Sequence, residues 1–166
     1  MCIRDRYYVE DMAPAPDVEG AALAGLRSTV RRMLSIPLPL MGVAGIRWLA
    51  RALRAWPARL SPHRARSHLA HVIRMQEEIG TGGAGFRFMY AAFLDEAAGL
   101  LGKPALREAA GMFSELGDRW RDFAVGGAQL IRGGETGPAP YAALAEVVLD
   151  CARREEQALR AIGAAL

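Results

Sequence analysis

Cysteine is scarce in this chain of 166 residues, which contains only Cys2 and Cys151. The two lie far apart and form neither a CxxC motif nor a Cys/His ligand spacing. The sequence therefore indicates neither a disulfide framework nor a cysteine-based zinc site. This cysteine usage fits a reducing compartment, and we expect a cytoplasmic protein.

Long apolar runs are missing as well. The longest uncharged stretch, residues 33–46, has 14 residues and contains Pro37 and Pro39, so it is too short and too broken to cross a bilayer. Charged residues follow Met1 within a few positions, which is not the pattern of a secretory signal. The sequence predicts neither a transmembrane helix nor a signal peptide.

Helical periodicity dominates the rest of the chain. Hydrophobic residues make up 52% and charged residues 23%, the balance of an ordinary globular domain. Asp17 and Ser61 are placed to cap helices, and Pro57 is predicted to end one. Apolar residues recur at three- and four-residue steps in six segments: about 17–36, 42–56, 62–79, 86–101, 104–131 and 139–162. The predicted fold is an all-α bundle of about six helices with a short N-terminal strand.

The segment after the central glycines has the most regular apolar stripe. It comprises Phe86, Tyr90, Phe93, Leu94, Ala97 and Leu101. A stripe at this spacing predicts a helix whose apolar face packs into the core. We also expect Leu69, Val72, Ile73 and Ile79 of the preceding helix to point inward.

The first sixteen residues have a different character. Residues 1–6 resemble a translated assembly scar and are interpreted as non-native. Residues 7–16 contain the strand-like run 7–11 followed by a proline-containing linker, and are interpreted as the remnant of a missing N-terminal domain. Residues 17–166 are predicted to form the helical domain.

Acidic residues are absent between Glu19 and Glu77, a stretch that contains ten arginines. Such a stretch indicates a surface for an anionic partner, with Arg47, Arg51 and Arg54 as the candidate docking residues. The alternative is that these arginines pair with carboxylates from the second half of the chain. Nucleic acid is not an expected partner, because no helix-turn-helix, zinc-finger or aromatic-basic sheet motif is present.

Tryptophan flanks the same basic segment. Trp48 and Trp56 accompany an arginine face, which is also the pattern of a helix lying on a membrane surface. A core-facing helix with an exposed arginine stripe gives the same pattern. A membrane-interface module therefore stays an alternative.

Glycine is concentrated between Gly80 and Gly85. The spacing matches the dinucleotide-binding fingerprint, but that fingerprint needs a preceding strand, and the preceding residues have a helical pattern. No cofactor is therefore expected. Free backbone N–H groups at the start of the next helix predict a site for a phosphate or carboxylate. Its candidate residues are Gly82, Gly83, Gly85, Arg87 and Tyr90. The alternative is a tight corner between packed helices, in a purely structural or oligomerising domain.

The histidines do not indicate a metal site. His68 and His71 share a helix face, whereas His63 lies near the helix start on another face, so spacing supplies no third ligand. We expect no bound metal.

The glycine-rich region resembles a known family. Residues 75–94, with the core Gly85-Phe86-Arg87-Phe88-Met89-Tyr90, and residues 117–121 are similar to the C-terminal helical domain of butirosin biosynthesis protein H-like proteins. That family belongs to secondary metabolism and joins this domain, whose role is unassigned, to a cysteine-peptidase-like N-terminal domain.

The resemblance also implies a chemistry. The butirosin member is an acyltransferase that moves an aminoacyl group from an acyl carrier protein to an aminoglycoside amine. By resemblance alone, Asp11 would be the acid that orients a catalytic histidine. No cysteine or histidine lies upstream of Asp11 here except Cys2, which belongs to the suspected scar, so we expect no activity from this chain alone. The implied role is docking of an acidic acyl carrier protein or binding of the acceptor, beside the missing N-terminal domain.

Overall fold

Six α-helices and one short turn of 3-10 type form the part of the chain that the computed structural model describes, which is residues 17–36, 38, 40–79 and 82–166. The helices are α1 (Val18–Ser35), α2 (Gly42–Arg59), α3 (Pro62–Glu77), α4 (Arg87–Leu100), α5 (Ala105–Gly133) and α6 (Pro138–Ala165). The all-α bundle is confirmed. The predicted strand, scar and linker, and with them Asp11, lie outside the described residues.

The predicted caps begin two of these helices. The side chain of Asp17 accepts a hydrogen bond from the Gly20 amide at 2.7 Å at the start of α1. The Ser61 hydroxyl accepts one from the Arg64 amide at 3.4 Å, with Pro62 at the first position of α3. Each cap satisfies an amide that has no partner within its own helix.

Pro57 does not end α2, contrary to the prediction. The helix continues to Arg59, and the Leu60 amide still donates to the Trp56 carbonyl at 2.9 Å. Because Pro57 lies in the last turn, its missing amide removes a single hydrogen bond near a helix end. The helix therefore continues past the proline.

The two longest helices organise the bundle. α5 and α6 pack against each other, α1 and α2 pack against α6, and α3 and α4 pack against α5. The largest fully buried side chains in the described chain include Tyr141, Phe123, Leu53, Leu69, Leu94 and Leu159. The α5–α6 pair is therefore the centre of the bundle. α1 and α2 lie against α6, whereas α3 and α4 lie against α5.

The segment from Gly82 to Phe86 is the corner between α3 and α4. Its five φ angles are all positive, including +50° at Ala84 and +70° at Phe86. A left-handed conformation costs an ordinary L-residue roughly 1–2 kcal/mol. The corner is thus a left-handed turn that is strained at two non-glycine positions.

This corner explains why part of the predicted apolar stripe is wrong. Phe86 is 51% exposed because it precedes the helix in a left-handed conformation, and Phe93 is also exposed. α4 buries Ala91, Leu94, Ala97 and Ala98 instead. On α3, Leu69 is buried and Val72 and Ile73 pack against the core, but Ile79 is exposed beyond the end of the helix.

Candidate functional site

A cavity of about 230 Å³ lies beside the left-handed corner, and we call it the corner cavity. Its walls come from α1, the corner and α4, together with α5 and α6. Thr29 and Met33 of α1 line it together with Arg87 and Tyr90 of α4, so the cavity lies between these two helices. The lining residues are Thr29, Met33, Gly85, Phe86, Arg87, Tyr90, Phe113, Glu155 and Leu159.

An ion pair between Arg87 and Glu155 forms one wall. Arg87 Nη2 lies 2.7 Å from Glu155 Oε2 and 3.0 Å from Oε1, and Nε lies 3.2 Å from Oε2. The Glu155 side chain is only 2% exposed and that of Arg87 17%. A two-pronged pair with this burial is stronger and more directional than a surface ion pair.

Two further contacts fix the Arg87 guanidinium. Its Nη1 donates to the Gly85 carbonyl at 2.9 Å, and its carbon lies 5.0 Å from the centre of the Trp120 ring. The cation is therefore held on three sides, by a carboxylate, a backbone carbonyl and an aromatic face. The positive charge of Arg87 is therefore already compensated by Glu155 within the wall of the cavity.

Tyr90 supplies a different polar group. Its ring packs edge-on against Phe113 at 4.8 Å between centroids. Burial raises the pKa of Tyr90, and a hydrogen-bonding contact with the neighbouring Thr29 hydroxyl opposes this shift. The phenol is thus protonated at neutral pH. The Thr29 contact is loose, because no described group meets the distance and angles of a hydrogen bond with the buried Tyr90 hydroxyl oxygen.

A second cavity of about 450 Å³ lies on the other side of the corner, between α2 and α3. Gly85, Phe86 and Arg87 line both cavities. Trp120 lines the second one, and its buried indole N–H has no hydrogen-bond partner among the described residues. The corner and Arg87 therefore form the partition between two cavities.

The five residues predicted to bind an anion are not all together. Gly85, Arg87 and Tyr90 line the corner cavity, whereas Gly82 and Gly83 do not. The Ala84 amide beside them donates to Glu77 Oε1 at 3.0 Å. Within the corner, one backbone donor is therefore taken by a carboxylate of the chain itself.

Glu155 is the residue that sequence reasoning missed. It lies on α6 in a stripe of buried residues that includes Cys151, Ala152, Ala158 and Leu159. An acid on the core-facing stripe of a long helix is a recognisable signal, because a buried carboxylate needs a partner. Its distance of 68 positions from Arg87 hid the identity of that partner.

The predicted docking arginines lie on α2. Arg47 forms an ion pair with Glu156, and Arg54 forms one with Glu146, both from α6. Hydrogen bonds from Arg160 and from Arg47 lower the pKa of the Glu156 carboxyl. Arg51 is exposed and pairs with no acidic residue in the described chain. Two of the three arginines thus have partners from the second half of the chain.

The tryptophans of the basic segment differ in exposure. Trp48 is 44% exposed, whereas Trp56 packs edge-on against His68 at 5.7 Å. No helix in the described residues has the length and apolar character needed to span a membrane.

In the described part of the chain, the histidines of α3 have no further metal-binding side chains grouped with them. His71 lines the second cavity, and His63 is exposed. Across residues 17–36, 38, 40–79 and 82–166, no three His, Cys, Asp or Glu side chains come together as a metal site would require.

Comparison with known proteins gives one family. The family model of a domain of unknown function, DUF4872, matches residues 1–162. No curated protein and no solved structure matches the chain.

Proposed function

The chain belongs to the DUF4872 family, and from this premise we propose that it is the C-terminal helical accessory domain of a butirosin H-like acyltransferase and binds one of the reactants in the corner cavity. The resemblance to that family, with its core at residues 85–90, supports the first part. The same six residues form the end of the corner and the first turn of α4.

One observation carries the second part. Gly85, Arg87 and Tyr90 come from a single short segment and converge on one cavity, which is completed by α1, α5 and α6. Cavities lined by apolar side chains with a few convergent polar groups are the usual form of a small-molecule site. Strained backbone is also more frequent at such sites than elsewhere.

The role proposed for this chain is binding and not catalysis. Cys151, the cysteine within the described residues, is fully buried, and burial raises the pKa of its thiol to about 12. A nucleophilic cysteine needs a thiolate near neutral pH. The thiolate chemistry that the resemblance implies is therefore assigned to the N-terminal cysteine-peptidase-like domain of such a protein.

Docking of an acidic acyl carrier protein on α2 is the second candidate function. The exposed and unpaired Arg51 favours it. The ion pairs of Arg47 and Arg54 reduce the positive charge that α2 presents to a partner. Such docking should weaken strongly with added salt.

Backbone amide NMR tests both candidates. An acylated acyl carrier protein and the aminoglycoside neomycin are titrated separately into the labelled chain at low and at high salt. Binding in the corner cavity predicts shifts at the amides of Arg87 and Tyr90 with at least one of the two. Shifts confined to the surroundings of Arg51, and lost at high salt, would favour carrier docking. Absence of any shift contradicts both functions.

A further inference from the structure

We infer that the corner cavity takes an uncharged, short aliphatic group bearing a carbonyl oxygen, and takes neither a free anion nor a free cation. The inference rests on the proposed function, because it treats the corner cavity as a binding site. It specifies the chemical class of the group that enters.

The size of the cavity limits the ligand. Sites for drug-sized molecules enclose roughly 300–1,000 Å³, whereas this cavity has about 230 Å³. Met33, Phe86, Phe113 and Leu159 contribute apolar surface to its lining. A short aliphatic chain suits this volume and surface, while a whole aminoglycoside is too large and too polar.

The charge of the wall excludes ionic ligands. Arg87 makes three contacts within 3.2 Å to the Glu155 carboxylate. A carboxylate or phosphate that took Arg87 from this pair would leave Glu155 buried without a counterion. A cation that took Glu155 would leave Arg87 unpaired in the same way. Breaking a buried pair from either side is strongly unfavourable.

The polar group of the ligand follows from Tyr90. Its hydroxyl is buried, and apart from a loose contact with the Thr29 hydroxyl it has no hydrogen-bond partner in the described chain. A protonated phenol donates a hydrogen bond, and an uncharged carbonyl oxygen is the matching acceptor. The hydroxyl is shielded from water, so a wall must move to admit the ligand. Met33 is the wall residue with an unbranched, flexible side chain.

Three probes of equal chain length test the inference. Hexanamide, hexanoate and hexylammonium are titrated into the chain at neutral pH and moderate salt, with binding followed by ligand-observed NMR. Hexanamide should bind at least about tenfold more tightly than either ion. Tyr90→Phe should weaken hexanamide binding by about threefold to tenfold, the loss expected for one hydrogen bond.

Two tryptophan variants control for location. Met33→Trp fills the cavity and should abolish hexanamide binding. Met89→Trp adds the same side chain at a 59% exposed position that does not line the cavity, and should leave binding unchanged. Tyr90→Phe keeps the ring and its packing, so it tests the site even where Met33→Trp lowers stability.

The outcomes separate this inference from the proposed function. Equal or tighter binding of hexanoate or hexylammonium overturns the inference that the cavity takes an uncharged group. Unchanged hexanamide affinity in Tyr90→Phe overturns the hydrogen bond to the phenol and with it the carbonyl. If no probe binds while neomycin or the acylated carrier protein shifts the Arg87 and Tyr90 amides, the inference fails and the proposed function stands. If neither reactant shifts them either, both fail.

Discussion

Arg87 and Glu155, 68 positions apart in the sequence, form a two-pronged ion pair with a shortest contact of 2.7 Å that joins the start of α4 to the middle of α6. The pair forms one wall of the corner cavity and at the same time links α4 to α6. It therefore connects the stability of the fold with the charge of the site.

The ion pair predicts that removing one charge lowers the free energy of unfolding much more than removing both charges. Glu155→Leu leaves the largely buried Arg87 cation without its counterion, and should lower the free energy of unfolding by about 3–5 kcal/mol. Arg87→Met with Glu155→Leu removes both charges and should recover most of that loss. Urea denaturation of the four proteins of the cycle measures the effect. A double variant no more stable than Glu155→Leu alone would contradict a compensated pair.

Alanine is predicted to have opposite effects on stability at two glycines, one in the left-handed corner and one within α5. Gly83 has a φ of +86°, and an added Cβ would lie 3.1 Å from Glu77 Oε2. Gly83→Ala should therefore lower the free energy of unfolding by about 1–2 kcal/mol. Gly111 lies within α5 with no atom near an added Cβ. Gly111→Ala should raise it by about 0.5–1 kcal/mol.

Thermal unfolding of these two variants is the measurement. A neutral Gly83→Ala would show that the corner does not require left-handed glycine, and a destabilising Gly111→Ala would contradict the open space at that position of α5.

Much of the fold could be predicted from the sequence, since it depends on local signals. Asp17 and Ser61 mark helix starts, and the structure has both caps. The prediction that Pro57 ends α2 was wrong, because a proline in the last turn removes one hydrogen bond without ending the helix. The prediction that Phe86 lies on the buried stripe was wrong, because a periodic pattern assumes helical geometry and the φ of +70° at Phe86 is not helical.

Less of the site could be predicted. The glycine cluster located the corner, and Arg87 and Tyr90 were identified by their place next to it. The wall from α6 was missed, because nothing local to Arg87 indicates which of the distant carboxylates it meets. Side-chain pairing between helices depends on how the helices pack, and a periodic pattern gives the face of a helix without naming its neighbour.

The pairing of Glu156 predicts a pH dependence. Hydrogen bonds from Arg160 and Arg47 lower the pKa of this carboxyl in the folded chain. Its contribution to stability is therefore fully present above the pKa of the unfolded chain and is lost as the pH falls through the lower folded value. Glu156→Gln should cost about 0.5–1 kcal/mol at pH 7, the range of partly exposed pairs, and much less at pH 3.

Urea denaturation of both proteins across this pH range checks the difference. Glu96→Gln is the control, because Glu96 is exposed, lies beyond the first turn of α4 and forms no ion pair in the described chain. A Glu156→Gln effect that is constant from pH 7 to pH 3 would contradict the role of the ion pair.

Burial of Cys151 predicts an unreactive thiol. Burial raises the pKa of Cys151 to about 12 against an ordinary value of 9.0, although the charge of Arg119 opposes the shift. At pH 8 the folded chain should therefore react with a disulfide reagent at least about a hundredfold more slowly than the urea-unfolded chain. Cys2→Ser leaves Cys151 as the single thiol for this assay. Equal rates in the folded and unfolded states would show that the thiol is accessible.

Methionine methyl NMR tests the central claim most directly, because Met33 lines the corner cavity, Met75 lines the second cavity and Met89 lines neither. The chain is labelled at its methionine methyl groups and titrated with hexanamide. Binding in the corner cavity predicts a saturable shift of the Met33 methyl signal, with those of Met75 and Met89 unchanged, and a smaller shift in Tyr90→Phe at the same sub-saturating ligand concentration. A Met33 signal that stays fixed, or that moves equally with the Met89 signal, would contradict the account.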